Sequence, residues 1–238
     1  MQGEIYLTFL ENVLKEQYSV VKVLKKTEDK SIVVWRHKEL NKDVVCRKCN
    51  GDYLVYEALT EIAFENLPAV FEVVRDENKI IVLEEFISGI TVADVLLDGL
   101  YDEKGVKHIV KCICDALSVV HSYGIVHRDI KPENIMITDE STIKLIDFDA
   151  ARFFKNGKSK DTKIIGTAGY AAPEQLGLAQ SDERTDIFAL GVLMNVMLTG
   201  EHPSKKMYKG KLSKIIEKCI QLDPDKRYSS AQELKKYL

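Results

Sequence analysis

The chain has 238 residues, with 34 Lys and Arg against 37 Asp and Glu and a formal net charge of −3. This length indicates one or two domains, and 45% hydrophobic with 30% charged residues excludes a disordered or fibrous chain. The small negative charge argues against nucleic-acid and membrane partners, and no apolar run approaches the roughly 18 residues of a membrane span.

The first 90 residues are predicted to be rich in β-strands. Runs of Val and Ile separated by polar turns are typical of an antiparallel meander. The predicted elements are, in chain order, a helix at 5–17, strands at 18–24, 31–37 and 43–49, a helix at 52–64, and strands at 70–74 and 79–86.

The remaining residues are predicted to be mainly helical. Helices at 92–97 and 106–121 precede a hairpin at 134–146, and helices at 186–198 and within 212–238 close the chain. The segment 147–174 is predicted to be a loop, and a loop of this length in a compact domain is usually functional or disordered.

The five cysteines fall inside these elements. Cys46 with Cys49, and Cys112 with Cys114, have the spacing of metal ligands, but both pairs lie in apolar periodic segments. We therefore expect core cysteines and no metal site built from Cys or His. An odd cysteine count and a start without a basic, apolar leader favour free thiols and a cytoplasmic location.

An ordered set of motifs occupies the second half of the chain. It comprises His-Arg-Asp-Ile-Lys-Pro-Glu-Asn at 127–134, Asp-Phe-Asp at 147–149, the segment 166–174 that ends in Ala-Pro-Glu, Asp-Ile-Phe-Ala-Leu-Gly at 186–191, and Arg227. With this set the chain resembles the Ser/Thr protein kinase family, and its short form resembles compact bacterial members. The resemblance implies one protein kinase domain of α+β class, with a β-rich N-lobe at about 1–87 and a helical C-lobe at about 88–238.

The resemblance also assigns catalytic roles. Asp129 would accept the proton of the substrate hydroxyl, and Lys131 would contact the transferring phosphate of ATP. Asn134 and Asp147 carry the oxygen atoms that suit Mg²⁺, with Mn²⁺ as an alternative. The implied partners are ATP and a protein substrate phosphorylated on Ser or Thr; the oligomeric state stays open.

Four further residues receive positioning roles from the same resemblance. Thr167 would bond Asp129 and Lys131 and is typical of the Ser/Thr branch. Glu174 and Arg227 would form a buried ion pair, and Asp186 would hold the backbone of the catalytic loop. We expect removal of one partner of such a pair to cost stability as well as activity.

The residue that anchors ATP is open between two neighbours. Val-Cys-Arg-Lys at 45–48 resembles the Val-Ala-x-Lys motif, which favours Lys48, whereas a shift by one residue selects Arg47. Its acidic partner is expected on the next helix, where Glu57 is preferred over Glu61. The remaining residues that would contact the nucleotide are Glu85, Ile87 and Met136.

Three departures from the family pattern bear on activity. The segment 25–31 has no glycine where the family places a glycine-rich phosphate loop, and Asp149 stands where the family has glycine. Glu84 takes a position at the back of the nucleotide pocket that is usually apolar or Thr. Because the glycine-rich loop is absent, Asp149 replaces glycine and the ATP-anchoring residue is open, the alternative to an active kinase is a pseudokinase or nucleotide-binding scaffold with little catalysis.

Overall fold

The computed structural model describes residues 10, 12–76, 79–154, 169–176 and 181–238. The chain divides into two compact units. Unit 1 comprises Met1–Phe64 and Pro68–Ile87, and unit 2 comprises Glu65–Leu67 and Ser88–Leu238. Residues 65–67 thus group with unit 2 although they precede its main segment.

Unit 1 contains a five-stranded antiparallel sheet in the order β1-β2-β3-β5-β4. Its strands are β1 Tyr18–Lys26, β2 Ser31–His37, β3 Asp43–Cys49, β4 Val70–Asp76 and β5 Lys79–Glu85. The strands β2 and β3 have the bounds predicted from their Val and Ile content, and β1 and β4 run slightly further. The predicted meander is therefore the first three strands of this sheet.

The turn between β1 and β2 closes without glycine. The backbone N–H of Thr27 donates to the carbonyl of Lys30 at 2.8 Å, and the Thr27 hydroxyl donates to the same carbonyl at 3.1 Å. The Lys30 N–H in turn donates to the Thr27 hydroxyl at 3.1 Å. A threonine side chain that bonds nearby backbone stabilises such a turn, so the sequence of this segment suits a tight hairpin.

Two helices flank the strands of unit 1. Helix α1 is described over 12–17, where Leu14 is buried and Lys38 donates to the last carbonyls. Helix α2 spans Tyr53–Leu59 and begins at Asp52, whose side chain accepts from the Leu54 N–H.

The prediction of a helix over 52–64 was wrong at its end. The Thr60 hydroxyl donates to the carbonyl of Glu57 at 2.7 Å, and this local bond competes with further helical bonding. Glu61, the alternative to Glu57, therefore lies outside the helix.

Unit 2 is mainly helical. Its helices are α3 Val92–Asp98, α4 Glu103–Ser122, α5 Glu183–Thr199, α6 Ser213–Cys219 and α7 Ala231–Lys235. The two long helices start earlier than predicted because Asp102 and Asp182 cap them, accepting from the N–H groups of Gly105 and Arg184. The core of unit 2 forms where α4 and α5 bury their apolar side chains, including Ile113, Leu117, Ile187, Leu190 and Leu193.

Short strands complete unit 2. The predicted hairpin is β8 Ile135–Thr138 and β9 Ile143–Leu145, and β6 Gly89–Thr91 adds a third strand beside β8. A second pairing joins β7 Ile125–Val126 to β10 Arg152–Phe153, and of these two strands β10 lies within the segment predicted as a loop. Strands of two or three residues carry no periodicity, so the sequence did not predict β6, β7 or β10.

None of the helices in the described ranges is long and apolar enough to cross a membrane. The five cysteines are free thiols, and Cys49, Cys114 and Cys219 are buried. Burial raises the pKa of Cys114 to about 12, so this thiol stays protonated at neutral pH.

Candidate active site

The loop before β8 brings three of the predicted catalytic side chains together. The carboxylate of Asp129 accepts a hydrogen bond from Asn134 Nδ2 at 2.9 Å and forms an ion pair with Lys131 Nζ at 2.8 Å. Asn134 Nδ2 also donates to the Asp129 carbonyl at 2.8 Å. A 3-10 turn at Pro132–Asn134 supplies the reversal that brings Asn134 back to Asp129. The cluster thus combines a carboxylate, a cation and an amide oxygen in one short segment.

The backbone of this loop is held by a buried carboxylate from α5. Asp186 is fully buried and accepts from the N–H of His127 at 2.9 Å and from that of Arg128 at 2.8 Å. Its Oδ2 also lies 2.8 Å from His121 Nε2. Arg128 adopts a φ of 69°, a strained value for a residue with a side chain. The bonds to Asp186 oppose this strain and hold the backbone of 127–128 against the start of α5.

The contacts of Asp186 also control its pKa. Burial by itself would raise this pKa, but the hydrogen bond and charge of His121, the charge of His127 and the Arg128 N–H together hold it below the usual aspartate value. The folded protein therefore binds this proton less tightly than the unfolded chain does.

We expect this lowered pKa to contribute to the acid stability of the fold. Its contribution is complete above the ordinary aspartate pKa of about 3.9 and is lost as the pH falls through the lower value of the folded state. Asp186→Asn should therefore flatten the fall in unfolding free energy below about pH 4. Urea unfolding of both proteins between pH 3 and pH 6 measures the effect; an unchanged acid slope would contradict it.

Asp147 follows β9 and is tied to the catalytic loop through its neighbour. The N–H of Ile146 donates to the backbone carbonyl of Asn134 at 2.9 Å, which sets Asp147 beside the end of that loop. Phe148 is buried and packs edge-on against His127, with ring centroids 4.6 Å apart. This packing fixes the segment after β9 on the fold of unit 2.

The donor atoms near Asp147 fit a hard divalent cation. Such a cation takes few protein oxygen ligands and keeps several waters, and the amide oxygen of Asn134 and the carboxylate of Asp147 are ligands of the kind that it prefers. The described residues hold no group of three or more His, Cys, Asp or Glu side chains that could hold a metal ion. The positive φ in this segment is at Asp147, at 67°, whereas Asp149 has none. Asp149 therefore adopts its place without the left-handed backbone that glycine tolerates.

The ion pair expected between Glu174 and Arg227 is present in full. Arg227 donates from both terminal nitrogens to the two carboxylate oxygens of Glu174, at 2.7 and 2.9 Å. It also donates to the backbone carbonyls of Gln221, Arg184 and Leu222. Both side chains are at most 5% exposed, so the pair is a buried and saturated anchor of the segment 173–176.

A residue that the sequence did not single out joins this segment to the catalytic loop. Gln175 is buried, its Nε2 donates to the carbonyl of Arg128 at 2.8 Å, and its Oε1 accepts from the N–H of Ala172 at 2.9 Å. Glutamine directly after Pro-Glu gave no chemical signal in the sequence, because its role depends on a carbonyl 47 residues away.

In unit 1 the two candidate cations lie on opposite faces of β3. Arg47 shares a face with Val45 and Cys49, all of them buried. Lys48 shares the other face with Cys46 and lines a cavity of about 260 Å³. Arg47 donates from Nε to Glu84 Oε1 at 2.9 Å, and its NH2 nitrogen lies 2.7 Å from the same oxygen.

The other predicted nucleotide contacts are placed as follows. Glu57 is exposed on α2 and accepts from the Tyr53 hydroxyl at 3.0 Å. Glu85 ends β5, where its carboxylate accepts from the N–H of Ala69, and Ile87 is half-buried just after it. Met136 lies in β8 opposite Thr91 and Lys144. Thr167 lies outside the described residues.

Comparison with known proteins gives one family. Residues 15–213 match the model of the protein kinase domain. The chain is 30% identical to serine/threonine-protein kinase PknB of Mycolicibacterium smegmatis, covering 65% of this chain and 29% of that protein. It is 35% identical to serine/threonine-protein kinase PknL of Mycobacterium tuberculosis (58% and 35% covered) and 30% identical to serine/threonine-protein kinase D of Synechocystis (71% and 37%). The chain therefore spans about a third of the length of these curated relatives.

Proposed function

Because the chain belongs to the protein kinase domain family, we propose that it transfers the γ-phosphoryl group of ATP to a serine or threonine hydroxyl of a protein. The observation that supports this most is the joint contact of Asp129 with Lys131 Nζ and Asn134 Nδ2. A module that only binds nucleotide has no chemical need for a carboxylate held in this way. We therefore propose an active kinase and not a nucleotide-binding scaffold.

The chemistry follows from what each side chain of this cluster can do. The carboxylate of Asp129 accepts the proton of the attacking hydroxyl, or orients that hydroxyl toward the phosphorus. The ammonium group of Lys131 stabilises the negative charge of the transferring phosphoryl group. Asn134 and Asp147 would hold Mg²⁺, which neutralises phosphate charge when it is bound.

The nucleotide would also contact residues outside the catalytic loop. We propose Glu85, Ile87 and Met136 as residues that line the nucleotide site, with a cation from β3 on the phosphates. Thr167 would bond Asp129 and Lys131, as in the family pattern. The proposed metal is Mg²⁺, with Mn²⁺ able to replace it, and the proposed location is the cytoplasm without nucleic-acid or membrane partners.

The test is phosphoryl transfer by the purified chain. Incubation with MgATP and dephosphorylated casein, followed by intact-mass measurement of both proteins, should show added phosphoryl groups on serine or threonine. Omission of the metal should prevent the gain, because Asn134 and Asp147 bind phosphate only through a cation. A chain that binds nucleotide and adds no phosphate to either protein would favour the scaffold alternative instead.

We expect Gln175 to position the catalytic loop. Gln175→Met keeps the length of the side chain but removes the donor to the Arg128 carbonyl and the acceptor for the Ala172 N–H. Arg128, next to Asp129, then keeps its N–H bond to Asp186 but loses the bond to its carbonyl, and kcat should fall by roughly tenfold to a hundredfold with the KM for ATP little changed. Gln221→Met, which removes an exposed bond from glutamine to a backbone carbonyl, is the matched control. Equal kcat values in the two variants would exclude the positioning role.

A further inference from the structure

We propose that Arg47 is the cation of unit 1 that holds the nucleotide phosphates, and that Glu84 from the neighbouring strand, not an acid from α2, positions it. The inference rests on the proposed function, since it concerns ATP binding. It selects one of the two cations left open by the sequence and supplies a different carboxylate partner.

The first argument is the face of the sheet on which Arg47 lies. Cross-strand partners share a face, and β3 pairs Val45 with Glu84, Arg47 with Val82 and Cys49 with Ile80. All six of these residues are buried. Helix α2 packs on this face. A Cβ atom added at Gly51 would lie 2.8 Å from the ring of Tyr56, which belongs to α2, and 2.9 Å from Ile80, which belongs to this face, so the two side chains lie close together. Arg47 therefore faces the helix after β3, as the family motif requires of its cation.

The second argument is that α2 brings no carboxylate to this face. The helix buries Val55, Tyr56 and Leu59, whereas Glu57 is exposed and bonded to Tyr53. Glu84, from β5, brings a carboxylate to Arg47. The resemblance places Glu84 at the back of the nucleotide pocket, where an acid is unusual. This position and the missing acid on α2 are explained together if a carboxylate from β5 replaces the expected carboxylate from the helix as the partner of the cation on β3.

The third argument is the cost of burying this pair. Arg47 is 4% exposed and Glu84 is 6% exposed. A buried ion pair contributes little to the stability of the fold, because the cost of removing both charges from water offsets their attraction. A guanidinium presents its N–H donors in a rigid fork that matches phosphate oxygens, and Glu84 Oε1 contacts the Nε and Nη2 atoms of Arg47. The contact with Glu84 thus keeps Arg47 charged and fixes the orientation of its guanidinium group before a phosphate binds.

The surroundings of Lys48 differ in kind. Its cavity is lined mainly by apolar side chains from α1 and the strands, among them Leu14, Val33, Trp35 and Ile81. Helix α1 therefore packs on the Lys48 face, and α2 on the Arg47 face. Because the Arg47–Glu84 pair is held between adjacent strands, its formation does not depend on the position of α2.

The test measures MgADP affinity by calorimetry for the wild type and for Arg47→Met/Glu84→Met. Replacing both members of a buried pair by apolar residues avoids an unpaired charge and keeps the fold, which thermal unfolding verifies. We expect the double variant to bind MgADP about tenfold more weakly or worse, since a charge-assisted bond to phosphate is lost. Arg36→Met, which breaks the exposed pair with Asp43 on the same sheet, is the control and should bind as the wild type does.

Lys48→Met supplies a second test that leaves the buried pair intact. Wild-type affinity in this variant supports the proposal, and a loss of affinity there would overturn it. Wild-type affinity in a folded Arg47→Met/Glu84→Met protein would overturn it as well, while phosphoryl transfer by the wild type would leave the proposed function standing. A wild type that binds no MgADP would refute both together.

Discussion

Asp129→Asn is expected to lower kcat for phosphoryl transfer by about 10²- to 10⁴-fold, the usual range for a positioned general base. Asparagine has the same shape as aspartate, so the substitution removes the negative charge that contacts Lys131 and Asn134 while the volume of the side chain stays the same. The variant should stay folded and keep its affinity for MgADP, because Asp129 acts on the hydroxyl and not on the nucleotide. Initial rates of phosphate incorporation, read with a binding isotherm, separate the two effects.

The matched control for this prediction is Asp98→Asn at the exposed end of α3. It makes the same chemical change outside the catalytic loop and should leave kcat as it is. If Asp129→Asn incorporated phosphate at the wild-type rate, the assignment of Asp129 as the base would be wrong.

Arg227→Met is expected to lower the free energy of unfolding by about 3–5 kcal/mol, the usual cost of removing one partner of a buried ion pair. Glu174 would stay buried without its partner, and the carbonyls of Gln221, Arg184 and Leu222 would lose their donor. Methionine fills part of the same volume, so most of the loss comes from the charge and the hydrogen bonds. Chemical denaturation at neutral pH measures it.

The neighbouring residue provides the control. Lys226 is exposed and lies 3.9 Å from Asp223, a separation at which an ion pair in water contributes little. Lys226→Met should therefore change stability by less than about 0.5 kcal/mol. Similar losses in the two variants would show that burial does not set the strength of the Glu174–Arg227 pair.

The local elements with strong periodicity were predictable from the sequence. The strands β2 and β3 have the predicted bounds, since their Val and Ile content and the flanking turns mark both ends. The end of α2 was not predictable, because apolar residues continue at helical spacing past Thr60 while a side-chain bond ends the helix. The short strands β6, β7 and β10 exist only through their partners, so no local pattern marks them.

The residues that form the catalytic cluster were predictable from the motifs. The order of the motifs named Asp129, Asn134, Asp186 and the Glu174–Arg227 pair, and the contacts within unit 2 agree with each of these positions. The resemblance confirmed by the family match carried that step, because spacing alone does not reveal which side chains meet. Gln175 was missed, since its two hydrogen bonds join segments that are distant along the chain.

The sequence by itself thus determined that this chain of 238 residues with a charge of −3 belongs to the protein kinase domain family, and it named the catalytic-loop residues to which we assign the proposed chemistry. Strand alternation also determined that Arg47 and Lys48 face opposite ways. Only the tertiary structure decided which of these two side chains lies on the side of the sheet where α2 packs, and that Glu84 contacts Arg47 from the neighbouring strand. The physical reason is that alternation is a property of one strand, whereas burial and ion pairing depend on the strands and helices packed against it.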